Sequence, residues 1–219
     1  MVYDSDEEQI EALKRWWDEN GTLVIAGIVL VLAVLFGSRY WQSSQSSMAE
    51  AASDIYTQMT EVVQSNLDLE IDDTELAEAL NLHTELKNNF ANSVYSRYSA
   101  LLMARLYVQR NELGEAAAEL QWIMDNPGLG FLNSIDDEMA LTARNRLARV
   151  ILAQGNAEAA LQLLNEVEPG TFAGTFAEIE GDAYVALGRI QEAIEAYQNA
   201  LNAGTNTEVV ELKLNDIRS

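Results

Sequence analysis

From Asn20 to Ser38 the chain reads NGTLVIAGIVLVLAVLFGS, 19 positions without a charged side chain, in a protein of 219 residues and net charge −22. A run this long and apolar belongs either in a bilayer or in the centre of a large core. At 1.5 Å per residue a helix of this length covers roughly 28 Å, close to the ~30 Å hydrocarbon core. Trp16 and Trp17 precede the run, and Tyr40 and Trp41 follow it. Aromatic pairs at both ends suit the two membrane–water interfaces, and a core helix rarely carries them. A cleaved secretory signal fits poorly. Signals begin with a basic segment and end in small residues. Here the first 19 residues include Asp4, Asp6, Glu7, Glu8, Glu11, Asp18 and Glu19, and Arg39, Tyr40, Trp41 and Gln42 follow the run. The expectation is an uncleaved span over 20–41.

Orientation follows from nearby cations. Lys14 and Arg15 precede the span; Arg39 follows it, with no further Lys or Arg until Lys87. The positive-inside rule then places the tail, 1–19, in the cytosol and the domain, 42–219, outside. The segment 39–219 carries 28 acidic and 11 basic residues. That balance argues against nucleic acid, which requires clustered Lys and Arg on phosphates. Membrane lipid is met only through the span. Cysteine is absent, which removes thiolate metal sites, Cys nucleophiles and disulfides.

The remainder reads as all-α: two prolines, scarce alternation, and much Ala, Leu and Glu. A repeat runs through it. Gly181, Tyr184, Gly188, Ala193, Tyr197 and Ala200 fall at tetratricopeptide spacing. Small Gly181 and Ala193 let paired helices approach, and Gly188 ends the first helix in a conformation that side chains resist. The frame repeats upstream through Ala148, Ile151, Gly155, Ala160 and Leu164, and again through Ala104, Tyr107, Asn111, Ala116 and Leu120. The spacing predicts helix pairs at about 94–126, 138–168 and 174–206, with a capping helix at 208–217. An irregular helical bundle is the alternative. A long inter-repeat loop is expected over 126–138 and an acidic linker over 66–73. A further helix is expected at 73–90.

The pattern supplies no catalytic set. His83 is the single histidine and reads as a helix-surface residue without a triad partner. Asp68, Glu70, Asp72, Asp73 and Glu75 lack the in-frame Gly and Glu of an EF-hand. No phosphate loop, nucleophile elbow or zinc-protease motif occurs. No enzyme, cofactor or metal is expected. Ala33 and Gly37 make one small-residue step in the span, a weak packing signal. Solenoids of helix pairs bind through fixed positions of their first helices. In this frame the candidate concave face is Tyr98, Leu101, Arg105 and Val108, then Thr142, Asn145, Arg149 and Leu152, then Thr175, Glu178, Asp182 and Val185. Each of these fits an ordinary packed or solvated position equally well. The Lys/Asn set that clamps a chaperone's C-terminal carboxylate is not reproduced.

The run EQIEALKRWWDENG from Glu8 to Gly21, the exit RYWQ from Arg39 to Gln42, and the repeat frame together resemble the YfgM family. That resemblance implies an ancillary subunit of the bacterial SecYEG translocon, anchored in the inner membrane with its tetratricopeptide-like domain in the periplasm. It implies the periplasmic chaperone PpiD as a partner, and unfolded secretory polypeptides passed from channel to chaperone. It also implies a second reading, a stress-response regulator acting through the acidic cytosolic tail.

Overall fold

The computed structural model describes residues 3–64, 71–127, 134–205 and 207–218. It divides into two units, Met1–Glu50 and Ala51–Ser219. Among the described residues all regular structure is helical.

The first unit is helical throughout its described length, as part of helix α1, Tyr3–Gln64. Within it, Gln9–Phe36 is long and apolar enough to cross a membrane. Its most apolar window is 6% buried, with Leu23, Val29, Leu30, Val34 and Phe36 all more than half exposed. Such a surface finds its stable environment in lipid rather than water. Trp16 and Trp17 stand half-exposed at its entry. The indole of Trp17 lies over Gly21, where an added Cβ would meet the ring at 3.2 Å. Asn20 donates its amide to the Trp16 carbonyl at 3.0 Å. The side chains of Tyr40 and Trp41 lie outside what the structure describes, as does the packing of the Ala33 and Gly37 step.

The second unit begins with the last turns of α1. Its helices are α2 (Asp73–Asn89), α3 (Val94–Gln109), α4 (Leu113–Asp125), α5 (Ser134–Ala153), α6 (Ala157–Asn165), α7 (Ala173–Ala186), α8 (Ile190–Asn202) and α9 (Thr207–Asp216). From α2 onward, each packs on the next, and α5 also meets α7. Nearest-neighbour stacking of this kind is how helix pairs that cannot bury a face alone build a continuous core. Ala104, Leu120 and Leu147 fill the α3–α4–α5 layer. Ala148, Leu164 and Phe176 fill the next, and Ala193, Tyr197 and Val210 the last.

Local chemistry sets the boundaries. At α2 the Asp72 carboxylate accepts from Thr74 and Glu75 N–H at 2.8 Å, while Glu75 accepts from the Asp72 N–H at 3.2 Å, a capping box. Three pair turns share one closure. Glu112, Asn156 and Arg189 each donate a backbone N–H to the carbonyl five residues back, on Tyr107, Ile151 and Tyr184. The preceding Asn111, Gly155 and Gly188 take φ of 58°, 84° and 70°. This Schellman geometry requires a left-handed residue, which Gly and Asn supply at least cost.

One expectation about the helix boundaries changes. The long loop expected over 126–138 ends sooner, because α5 begins at Ser134. Residues 128–133 of that loop, and 65–70 of the acidic linker, lie outside the described residues. At the C-terminal end, α9 buries Val210 and Leu214 but leaves Leu212 65% exposed, so its outer face is not wholly polar.

Candidate protein-binding surface

The structure divides the concave-face positions among three environments. The first is packing. Leu101 lies on the α3–α5 core, Leu152 beside Ala157 and Ala183, and Val185 against the α7–α9 core. Tyr98 joins an aromatic cluster: its ring centroid is 6.0 Å from Tyr56 of α1 and 6.5 Å from Tyr95. Thr142 turns its hydroxyl back to the Glu138 carbonyl at 2.9 Å.

The second environment is a polar network across α5, α7, α8 and α9. Asn145 donates to the Thr175 hydroxyl at 3.1 Å. Arg149 donates to Glu178 at 3.3 Å. Lys213 of α9 donates to Glu178 and Asp182, each at 2.8 Å. The Tyr197 hydroxyl donates to Asp182 at 2.7 Å. Glu178 is 7% exposed, so its charge depends on these partners. Burial pushes its carboxyl up; Lys213 and Arg149 together outweigh that and hold it below the usual carboxylate range. Tyr197 is pushed well above the ordinary phenol range by burial and by its bond to Asp182. Lys213 and Tyr197 were not among the sequence-derived site residues. They sit on the capping and second helices, outside the fixed first-helix positions.

The third environment is a groove of about 360 Å³ between α3, α4 and α5. Arg105, Val108 and Arg149 line it, joined by Arg146, Leu120 and Val150. Leu120 and Val150 form a buried apolar floor, while the three arginines and Val108 are exposed. Arg146 was missed from sequence because the chosen register took Asn145, its immediate neighbour, as the facing position, although Arg146 lies one turn from Thr142 and so near the same face. Its spacing to Arg149 and Val150 was the available signal.

His83 corrects the sequence reading. It is 2% exposed rather than on a helix surface, and it has partners. Its Nδ1 lies 2.8 Å from the Ser99 hydroxyl and its Nε2 3.0 Å from Glu119. Lys87 also donates to Glu119 at 2.9 Å and stacks over the Trp122 ring. The trio resembles a hydrolytic triad in composition. However, Ser99 is fully buried and its hydroxyl also reaches the Ser96 carbonyl, at 2.8 Å, so no substrate reaches it. The arrangement ties α2 to α3 and α4. Burial pushes the Glu119 carboxyl up, but His83 and Lys87 overcome this and lower it.

Glu119 and Glu178 therefore stabilise the fold above the ordinary carboxylate pKa of about 4.3, and that contribution is lost as pH falls through their lower folded values. Glu180, pushed up by burial, acts in the opposite direction and offsets part of the loss. Replacing Lys213 by methionine should cost about 2–3 kcal/mol at pH 7, less than a fully buried pair because Lys213 is 29% exposed. Urea unfolding at pH 7 and again well below pH 4 checks this. The deficit should shrink as the pH falls and Glu178 takes up a proton. A deficit independent of pH would mean that Lys213 contributes through packing alone.

Comparison with known proteins bears on the whole chain. A tetratricopeptide repeat-like domain family model matches residues 14–219. A protein of Escherichia coli (strain K12) named ancillary SecYEG translocon subunit is 29% identical, over 99% of this chain and 98% of its own length. Proteins of the same name from Haemophilus influenzae and Neisseria gonorrhoeae are 28% and 22% identical, over 99% and 97% of this chain and 100% and 97% of their own lengths. No solved structure gives a significant match. The chain thus belongs to the tetratricopeptide repeat-like domain family, in the YfgM group of end-to-end relatives named ancillary SecYEG translocon subunits.

Proposed function

We propose that this protein is an accessory subunit of the SecYEG translocon in the bacterial inner membrane. The span anchors it with the tail in the cytosol and the repeat domain in the periplasm. There the domain receives emerging secretory polypeptides and passes them to periplasmic chaperones, PpiD among them. The observation that carries the reading is similarity along the full length, span and repeats together, to proteins named for that role. The groove and the helix stack supply a binding surface of the kind such a role needs.

Purification of the tagged full chain from membranes in a mild detergent tests it. The channel subunits and the chaperone should co-purify. Recovery of the intact chain with neither would defeat the proposal. The orientation is tested separately, by a reporter active only outside the cytoplasm fused after Ser219. Signal from that fusion is expected, and activity of a cytoplasm-only reporter instead would reverse the topology.

A further inference from the structure

The groove between α3, α4 and α5 has an unusual electrostatic character for this chain. Net charge is −22, yet Arg105, Arg146 and Arg149 line one cavity of about 360 Å³ whose lining contains no Asp or Glu. Several cations elsewhere in the domain are neutralised: Lys87 by Glu119, Arg110 by Asp73 and Glu112, Arg144 by Glu166, Arg189 by Glu192. Arg149 spends one nitrogen on Glu178. Arg105 and Arg146 make no ion pair or side-chain hydrogen bond among the described residues. Arg146 also stands three residues from Arg149 on the same helix, a like-charge spacing that costs stability. A solvated surface in so acidic a protein has carboxylates in abundance to relieve this, yet among the described residues none lines the groove and none pairs with Arg105 or Arg146.

Between the cations the floor is apolar, with Leu120 1% and Val150 5% exposed, and Val108 offers an exposed apolar edge. The volume is at the small end for ligand sites and suits one large side chain rather than a cofactor. Guanidinium groups bind carboxylates in pairs of parallel hydrogen bonds, with geometric selectivity. A long polyanion such as nucleic acid would meet the repulsion of the surrounding acidic surface, whereas a short segment need not.

We infer that this groove binds a linear peptide segment in which one large apolar side chain is flanked by Asp or Glu. The apolar side chain enters over Leu120 and Val150, and the neighbouring carboxylates meet Arg105, Arg146 and Arg149. The inference rests on the reading of the domain as a protein-binding module and adds the chemistry of what it selects: acidic–apolar segments, in preference to basic ones.

The test uses the full chain in nanodiscs of zwitterionic lipid and fluorescence anisotropy of short labelled peptides. One peptide has a central leucine flanked by glutamates; in the others glutamine or lysine replaces glutamate, or serine replaces leucine. The glutamate–leucine peptide should bind roughly tenfold or more tightly than the glutamine peptide, and weaken with salt. The serine peptide should also lose affinity. The double variant Arg105→Glu with Arg146→Glu should lose the acidic peptide and gain the lysine peptide. Both arginines are exposed, and a melting curve confirms that the variant folds. Equal affinity for the glutamate and glutamine peptides, a wild-type preference for lysine, or acidic-peptide binding unchanged in the double variant would each overturn the inference. Co-purification of the channel separates the two ideas: recovery of SecYEG without acidic-peptide binding refutes the groove and leaves the proposed function standing. Peptide binding without SecYEG refutes the proposed function and supports the groove.

Discussion

Two arginines placed at Leu30 and Val31 should release the chain from the membrane fraction. Both positions are exposed at the centre of the apolar helix, 66% and 55%. Between Thr22 and Phe36 the chain carries 11 Leu, Ile, Val and Phe residues. Each favours insertion by roughly 0.3–0.6 kcal/mol at the centre of a span, so together they supply roughly 3–7 kcal/mol. Each arginine at the centre costs roughly 2.5–3.5 kcal/mol, so two consume about the whole of that gain. Alkaline extraction of membranes followed by blotting measures it: the native chain should stay in the pellet and the double variant should move to the supernatant. A single leucine-to-serine change at Leu30 should leave it in the pellet. Retention of the double-arginine variant would show that another part of the chain provides attachment.

The second large effect lies at Gly181. A Cβ added there would sit 2.4 Å from the Tyr197 ring, closer than any stable contact. Tyr197 cannot swing away freely, because it is 2% exposed and its hydroxyl is bound to Asp182. Gly181→Val should therefore destabilise the domain by about 3 kcal/mol through overpacking, a fall in Tm of roughly 6–12 °C for a domain of this size. Gly114→Ala provides the internal control. Nothing lies within 4 Å of its added Cβ, and the position is helical, so it should be neutral or gain about 0.5–1 kcal/mol. Thermal melts by circular dichroism distinguish the two. A tolerated valine at 181 would mean that α7 and α8 separate more easily than their packing implies.

The contrast between these glycines shows where sequence reading reaches. Gly181 and Tyr197 stand at fixed positions of a repeating helix pair, so their closeness follows from the period of the repeat. The turns at Asn111, Gly155 and Gly188 were legible for a similar local reason: left-handed backbone narrows the choice of residue. His83 was not legible. Its partners lie 16 and 36 residues away, and only the stacking of α2 on α3 and of α4 behind them brings a serine and a carboxylate to the two ring nitrogens. Lys213 reaches Glu178 and Asp182 across 35 and 31 residues for the same reason. The start of α5 also escaped, since a turn-rich composition over 126–133 gave no local sign of where the helix resumes.

By itself, then, the sequence determined the apolar segment, the all-α character and the repeat, because each is written in short-range patterns: an uncharged run, helix-forming composition, and small or left-handed residues at a fixed period. The tertiary structure decided which of the first-helix side chains are spent on one another and which face outward. Asn145, Glu178 and Asp182 are drawn into a network with α9, while Arg105 and Arg146 are left around an apolar groove without carboxylates. A charged side chain's partner is set by the relative placement of helices far apart in the chain. Coulomb attraction and desolvation act through space rather than along the sequence, and that placement exists only once the stack is assembled.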